Sequence, residues 1–243
     1  MTNNCGYTVW PGLLSGAGTA PLSTTGFALA HGASATVDAP ASWSGRMWAR
    51  TLCAEDATGK FTCATGDCGS GGIQCNGGGA APPATLVEFT LDGSGGMDFF
   101  DVSLVDGYNL PMIIVPQGGG AAAPAGSGGG SGGKCMATGC LVDLNGACPA
   151  DLRVMAASTG TGAAAPGGGP VACRSACEAF GSAQYCCSGA YGNPNTCRPS
   201  TYSQFFKNAC PRAYSYAYDD STSTFTCTAG TNYAITFCPS TTR

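Results

Sequence analysis

The stretch GKFTCATGDCGSGGIQC, residues 59–75, places Cys63, Cys68 and Cys75 within thirteen residues that are otherwise mostly Gly, Ser, Thr and Asp. A segment of this kind has few apolar side chains to bury against the conformational entropy that it loses on folding. Its cysteines therefore hold a metal, carry out redox chemistry or crosslink the loop. The choice among these three roles decides the fold class and the compartment.

The cysteines of the whole chain favour crosslinking. The 243 residues contain 16 cysteines and one histidine, His31, in a loop-like segment without acidic neighbours. No two cysteines have the C-x2-C spacing that is typical of zinc sites and of thioredoxin-like redox motifs. We therefore predict eight disulfides, each stabilising the fold by about 2–4 kcal/mol, no metal and no cofactor. Such a chain belongs in an oxidising, extracellular space.

Charge and hydropathy exclude two classes of partner. The net charge is −4 and only 10% of the residues are charged. Without a basic run, nucleic acid is not an expected partner. No apolar run approaches the roughly 20 residues of a membrane span. Because polar residues follow Met1 directly, we expect a mature chain whose targeting segment lies outside this sequence. We also expect the protein to act as a monomer.

Short β-branched or aromatic runs bounded by turn residues dominate the pattern and predict a β-sandwich or barrel. The clearest strands are GRMWART (45–51), ATLVEFTL (84–91), MDFFDVSLV (97–105) and NYAITFC (232–238).

Two other kinds of segment interrupt the strands. Residues 142–210 hold seven cysteines and one candidate helix near 172–181, which indicates a disulfide-rich lobe. The Gly/Ala/Pro stretches 118–133 and 159–170 are typical of flexible surface loops.

Residues 84–105 form a hairpin that turns at Gly93–Gly96. Centring the turn between Ser94 and Gly95 places Glu88 directly opposite Asp101, and it collects the apolar side chains on the other face. Opposed carboxylates destabilise a hairpin, so the pair indicates a polar cleft. Two carboxyl groups roughly 5–9 Å apart are also what glycoside hydrolysis requires. A solvated hairpin face is the alternative.

Nine residues of the opening stretch carry a family resemblance: Gly59, Phe61, Cys63, Thr65, Gly66, Asp67, Cys68, Gly71 and Cys75. They fill the motif G-x-[GF]-x-C-x-T-[GA]-D-C with its following Gly and Cys, and similar segments cover nearly the whole chain. The chain resembles the thaumatin-like proteins of the plant pathogenesis-related type, which include thaumatin and osmotin. Within the motif we expect Asp67 to hold its loop by hydrogen bonds.

The resemblance implies an all-β fold, a flattened β-sandwich core with two smaller disulfide-rich lobes. The core would comprise residues 1–50, 83–141 and 211–243, one lobe 51–82 and the other 142–210. The implied bridges are Cys5–Cys238, Cys53–Cys63, Cys68–Cys75, Cys135–Cys227, Cys140–Cys210, Cys148–Cys173, Cys177–Cys186 and Cys187–Cys197.

The resemblance also implies a cleft between the sandwich and a lobe, lined by one arginine and four acidic residues. These correspond to Arg46, Glu88, Asp101, Asp106 and Asp219. Arg50 is a rival to Arg46, Asp220 is adjacent to Asp219, and Asp106 is alternatively a turn residue. Glu88 is expected to carry the catalytic proton and Asp101 to stay ionised. Phe99 or Tyr108 would stack on a sugar.

The implied function is that of a secreted, apoplastic defence protein that binds β-1,3-glucan or another cell-wall polysaccharide. Relatives differ in whether they also hydrolyse glucan weakly and act against fungi. A non-catalytic carbohydrate- or receptor-binding module is one alternative, and a stable allergen-like protein without turnover is another.

Overall fold

A computed structural model describes residues 1–118, 135–156 and 168–240, which form twelve β-strands and four short α-helices. The strands are β1 (Thr2–Asn3), β2 (Trp10–Ser15), β3 (Ser44–Glu55), β4 (Phe61–Thr65), β5 (Leu86–Thr90), β6 (Met97–Ser103), β7 (Met112–Gln117), β8 (Thr138–Cys140), β9 (Arg153–Met155), β10 (Pro170–Cys173), β11 (Phe225–Thr228) and β12 (Asn232–Phe237). The helices are α1 (Ala176–Phe180), α2 (Ala183–Cys186), α3 (Thr201–Ala209) and α4 (Asp220–Ser223).

Two sheets form the sandwich. The larger has the strand order β11-β6-β5-β3-β2, with β4 added to the far end of β3, and the smaller has the order β1-β12-β7-β8. Tyr233 of the smaller sheet contacts Phe89 and Phe100 of the larger, with ring centroids 5.1 and 5.0 Å away. The predicted all-β sandwich is confirmed, and β3, β5, β6 and β12 lie where the sequence pattern placed them.

The alternation of apolar and polar side chains along β5 and β6 explains why one face of their hairpin is buried. Val87, Phe89, Phe100 and Val102 point into the core and are at most 7% exposed. The intervening residues point outward, because successive side chains of a strand alternate between faces. The hairpin therefore presents one apolar face to the smaller sheet and one largely polar face to the outside.

All eight predicted disulfides are present, with the predicted partners. In the opening stretch, Asp67 accepts hydrogen bonds from the backbone N–H groups of Cys63 and Gly69, both at 2.6 Å. Three cysteines and one aspartate thus order a loop with almost no core of its own, as expected from its composition.

The segments outside the sandwich are more helical than the sequence indicated. The candidate helix near 172–181 is α1, but α2, α3 and α4 were missed. Strand β3 runs through residue 50, the predicted boundary of the first lobe, so the division into a core and two lobes stays a prediction. The stretches 118–133 and 159–170 lie outside the described residues, except for Gly118 and 168–170.

Candidate functional site

Three neighbouring strands bring one cation and two carboxylates into a row. Arg46 on β3 pairs with Glu88 on β5, and Glu88 pairs with Asp101 on β6. This is the register that the turn at Gly93–Gly96 predicted. The Arg46 Nε lies 3.5 Å from the Glu88 Oε1, and both side chains are partly open to solvent. The row lies on the outward face of the larger sheet.

An open cleft of about 580 Å³ lies over this row. Its walls come from the start of β3, from β5 and β6, and from the end of β2 with its following loop. Phe99 lines it beside the charged residues, and its stacking on a sugar stays a prediction. Among the described residues, none from 51–82 or 142–210 lines this volume.

The pKa values of the two carboxyl groups respond differently to their surroundings. It raises the pKa of Asp101 to about 8, and the negative charges of Glu88 and Asp220 add to that rise. The Oδ2 of Asp101 is buried and has no hydrogen-bond partner within the described residues. Burial also raises the pKa of Glu88, but the adjacent Arg46 opposes that rise. Burial therefore shifts both carboxyl groups toward the protonated form, and the ion pair with Arg46 opposes that shift mainly at Glu88.

The expectation that Glu88 carries the proton stays a prediction, and the strongly raised pKa of Asp101 favours the reverse assignment. That expectation assumed that Arg46 would act mainly on Asp101, whereas the ion pair is with Glu88 and Arg46 has only a smaller effect on Asp101. Strand register gives the pairing of residues, but it does not tell which member of a pair is better covered.

The two arginines on this face of β3 have different roles. Arg50 is 1% exposed, and its guanidinium donates to the carbonyl oxygens of Trp10, Pro11 and Ile73. It ties β2 and the disulfide loop to the sheet and faces no ligand space. Arg46, about half exposed beside Glu88, is the arginine of the cleft.

Asp219, expected in the cleft, is instead a buried structural residue. Its Oδ2 lies 2.8 Å from the Nζ of Lys207 and accepts hydrogen bonds from the N–H and Oγ of Ser215. The neighbouring Asp220 is exposed and adds to the negative potential at Asp101. Its carboxylate accepts a 2.8 Å bond from the Tyr214 hydroxyl. Of the adjacent pair, the structure brings Asp220 rather than Asp219 toward the carboxylate row.

Asp106 belongs to a turn and also to the acidic region. Its carbonyl accepts the N–H of Ala84, and Gly107 follows with a φ of 82°. The charge of Asp106 acts on both Glu88 and Glu178, raising the pKa of each. Both interpretations of Asp106, turn residue and member of the acidic group, are compatible with this position.

Tyr108 cannot stack on a sugar, because it is fully buried and donates its hydroxyl to the carbonyl of Val142 at 2.9 Å. His31 is exposed and its Nδ1 lies 2.6 Å from the carbonyl oxygen of Cys5. No group of three His, Cys, Asp or Glu side chains suited to a metal occurs within 1–118, 135–156 and 168–240.

Sequence reasoning missed Glu178, which lies in the first turn of α1, three residues after the N-cap Ser175. Burial is the main cause that raises its pKa to about 7, and its Oε2 has no hydrogen-bond partner in the described part of the chain. The Ser-x-x-Glu spacing at residues 175–178 is a capping signal, which predicts the helix start but not the proximity of Glu178 to Asp106.

Comparison with known proteins finds relatives that match almost the whole chain. A profile described as the thaumatin family matches residues 3–239. Thaumatin-like protein 1 of Prunus persica is 55% identical over 98% of this chain and 89% of its own length. A glucan endo-1,3-beta-glucosidase of Prunus avium is 52% identical over 98% of this chain and 88% of its own. A PR5-like receptor kinase of Arabidopsis thaliana is 50% identical over 98% of this chain, which spans 33% of that protein.

Proposed function

The chain belongs to the thaumatin family, and from that premise we propose that it is a secreted plant defence protein whose acidic cleft binds β-1,3-glucan and hydrolyses it slowly. The glucosidase from Prunus avium, at 52% identity, supports the substrate class. The crosslinking of all 16 cysteines supports an extracellular, apoplastic location.

The facing carboxyl groups of Glu88 and Asp101 carry the enzymatic part of this proposal. Glycoside hydrolysis requires one carboxyl group that keeps its proton and one that has lost it. Asp101, whose Oδ2 is buried and whose pKa is about 8, suits the first role, and Glu88 beside Arg46 suits the second.

In the proposed reaction, Asp101 donates its proton to the glycosidic oxygen as the bond from that oxygen to the anomeric carbon breaks. Glu88 attacks the anomeric carbon or removes a proton from an attacking water. Arg46 favours the ionised form of Glu88, and Phe99 supplies an apolar wall for the sugar ring. Neutral sugar hydroxyls also suit an acidic cleft, because they donate hydrogen bonds to carboxylates.

The deciding experiment measures laminarin binding and the release of reducing ends in the same samples. We expect Glu88→Gln and Asp101→Asn each to lower hydrolysis by about 100-fold or more, the usual contribution of general acid–base catalysis. Glucan affinity should change far less. The controls are Glu55→Gln and Asp38→Asn, which alter exposed carboxylates outside the cleft. Unchanged rates in both cleft variants would refute the enzymatic part.

Binding without turnover is the second candidate function. It is favoured by the 50% identity to the PR5-like receptor kinase, of which this chain matches 33%. Saturable laminarin binding with no reducing ends released by the wild-type protein would support it. The cleft variants would then change affinity alone.

A further inference from the structure

An asparagine followed by a glycine is a reactive position in a protein chain. The amide nitrogen of the glycine attacks the side-chain carbonyl carbon of the asparagine, ammonia leaves and a cyclic imide forms. Glycine favours this attack because it has no Cβ to crowd the nitrogen and because its backbone rotates freely. The sequence contains two such dipeptides, Asn76-Gly77 and Asn145-Gly146. Since the reacting groups are the same, the surroundings of each dipeptide decide whether it reacts.

Asn76 and Gly77 form the tip of an exposed turn that follows Cys75. The carbonyl oxygen of Cys75 accepts a hydrogen bond from the N–H of Gly78 at 2.9 Å. The φ angles of Asn76 and Gly77 are 50° and 89°, and positive φ at both central residues is the type I′ pattern, which favours Asn-Gly. The geometry of the turn therefore explains why this dipeptide occurs here, and the same turn leaves it open to solvent.

Both reacting groups of the Asn76-Gly77 dipeptide are unengaged. Neither the side-chain amide of Asn76 nor the N–H of Gly77 has a hydrogen-bond partner among the described residues. A Cβ placed on Gly77 would have no atom of a more distant residue within 4 Å, so the backbone has room to rotate. The turn is anchored at its start, where the N–H of Asn76 donates to the Oγ1 of Thr25 at 3.0 Å.

The side chain of Asn145, in contrast, is held in place. Its Nδ2 donates to the carbonyl oxygens of Asn109 and Val171, at 3.0 and 3.2 Å, and its Oδ1 is buried. To react with Gly146, this side chain would have to give up both hydrogen bonds and rotate away from the sandwich and β10. The fold therefore protects the second dipeptide.

We propose that Asn76 is a site of spontaneous deamidation in the folded protein and that Asn145 is not. The Gly77 nitrogen loses its proton and forms a bond to the Asn76 Cγ, and the side-chain nitrogen leaves as ammonia. Water then opens the imide at either of its carbonyl groups, which yields aspartate or isoaspartate at position 76. At neutral pH either product adds one negative charge to a chain whose formal net charge is −4.

Isoaspartate also lengthens the main chain of the turn by one carbon atom. The hydrogen bond between Cys75 and Gly78 spans this insertion, so we expect it to be lost. The Cys68–Cys75 disulfide and the 2.8 Å hydrogen bond from the Thr25 N–H to Gln74 both precede the insertion. The change should therefore stay local, and the modified form should accumulate as a folded protein.

Peptide mass mapping during incubation at mildly alkaline pH tests the assignment. In the folded protein we expect Asn145 to convert at least about 10-fold more slowly than Asn76, because its amide must first give up two hydrogen bonds. In protein that has been reduced, alkylated and unfolded in guanidinium, the two sites should convert at similar rates. The acidic form that accumulates in the folded sample should elute with Asn76→Asp on ion exchange.

Thr25→Ala removes the anchor of the turn and should speed the conversion of Asn76. Thr62→Ala, an exposed substitution on β4, is the matched control and should leave the rate unchanged. Equal rates at Asn76 and Asn145 in the folded protein would overturn the proposal. An Asn76 that stays intact in the folded protein but converts in the unfolded chain would also overturn it. None of these measurements depends on glucan binding or hydrolysis.

Discussion

Glu88 and Asp101 face each other across one hairpin, yet their surroundings differ. Arg46 is an ion-pair partner of Glu88, whereas the Oδ2 of Asp101 is buried without a partner. A carboxyl group transferred from water into such a place favours its neutral form. The difference between the two residues is set by burial and by one arginine, and both causes can be tested with single substitutions.

The first prediction concerns stability and pH. The pKa of Asp101 is about 8 in the folded chain, against an ordinary value of 3.8. Protonation of Asp101 therefore favours the folded state, so its contribution is complete below about pH 4 and is lost as the pH rises to about 8. Asp101→Asn should flatten this dependence and raise the melting temperature at pH 8, by about 2–4 °C for each 1 kcal/mol.

Calorimetric melting curves between pH 4 and pH 9 measure this effect. Asp38→Asn, an exposed substitution, provides the control and should follow the wild type at each pH. A melting temperature of Asp101→Asn that runs parallel to the wild type over the whole range would show that folding does not raise the pKa of Asp101.

The second prediction compares Arg46 with Arg50, four residues apart on one face of β3. Arg50→Ala removes buried hydrogen bonds to three carbonyl oxygens and should lower the free energy of unfolding by about 3 kcal/mol or more. Arg46→Ala removes a solvent-exposed ion pair and should lower it by less than about 1 kcal/mol. Urea denaturation measures both, and equal losses would contradict the assignment of Arg50 as structural.

At the scale of elements, the hairpin of β5 and β6 was predictable because period-two alternation and a glycine turn fix its register. A slip by one residue would expose Val87 and Phe89, so the pattern leaves little choice. The positions of Asp219 and Tyr108 were not predictable in this way. Asp219 is turned inward by Lys207 from α3, and Tyr108 is covered by the segment around Val142. Both effects depend on elements far away in the sequence.

Helix α3 shows that part of the missing information was present locally. Its N-cap Ser200 and Ser203 exchange hydrogen bonds in a capping box, and Tyr202, Phe205 and Phe206 follow at helical spacing. The seven cysteines of 142–210 led us to predict a disulfide-rich lobe with only one helix, near 172–181. Lys207 of this helix makes the ion pair with Asp219, a contact that the choice of Asp219 by family resemblance did not include.

The third prediction concerns the turn that carries Asp106. Gly107 has a φ of 82°, and a Cβ there would lie 2.6 Å from the Pro83 Cβ and 2.7 Å from the Cys173 carbonyl oxygen. Gly107→Ala should therefore cost well over 1 kcal/mol and displace Asp106. Gly96→Ala is the matched control, since Gly96 has a φ of 68° but open space around it, and it should cost about 1 kcal/mol. Similar urea midpoints for the two variants would show that the turn at Gly107 can adjust.

At the scale of the whole molecule, crosslinks and a sandwich core stabilise different parts of the chain. The buried apolar side chains between the two sheets form one cluster, while Trp48 and Leu86 belong to a second cluster. The helical segment around α1 and α2 instead contains the bridges Cys177–Cys186 and Cys187–Cys197, which span 9 and 10 residues. On partial reduction we expect backbone amides of residues 176–200 to lose hydrogen-exchange protection before those of β5, β6, β7 and β12. Simultaneous loss of protection would indicate a single cooperative unit.

The last prediction ranks two disulfides by the loops that they close. Cys5–Cys238 joins residues 233 apart and Cys177–Cys186 joins residues 9 apart. Crosslinking a longer loop removes more entropy from the unfolded chain, and the other bridges shorten the effective loop of Cys5–Cys238 only in part. Replacing both cysteines of Cys5–Cys238 by serine should therefore destabilise the protein by about 2–3 kcal/mol more than the same change at Cys177–Cys186. Guanidinium unfolding of the two double variants at equal pH gives the comparison. A greater loss at Cys177–Cys186 would mean that this bridge stabilises the folded helices directly, and that unfolded-chain entropy is not the dominant effect of the crosslinks in this fold.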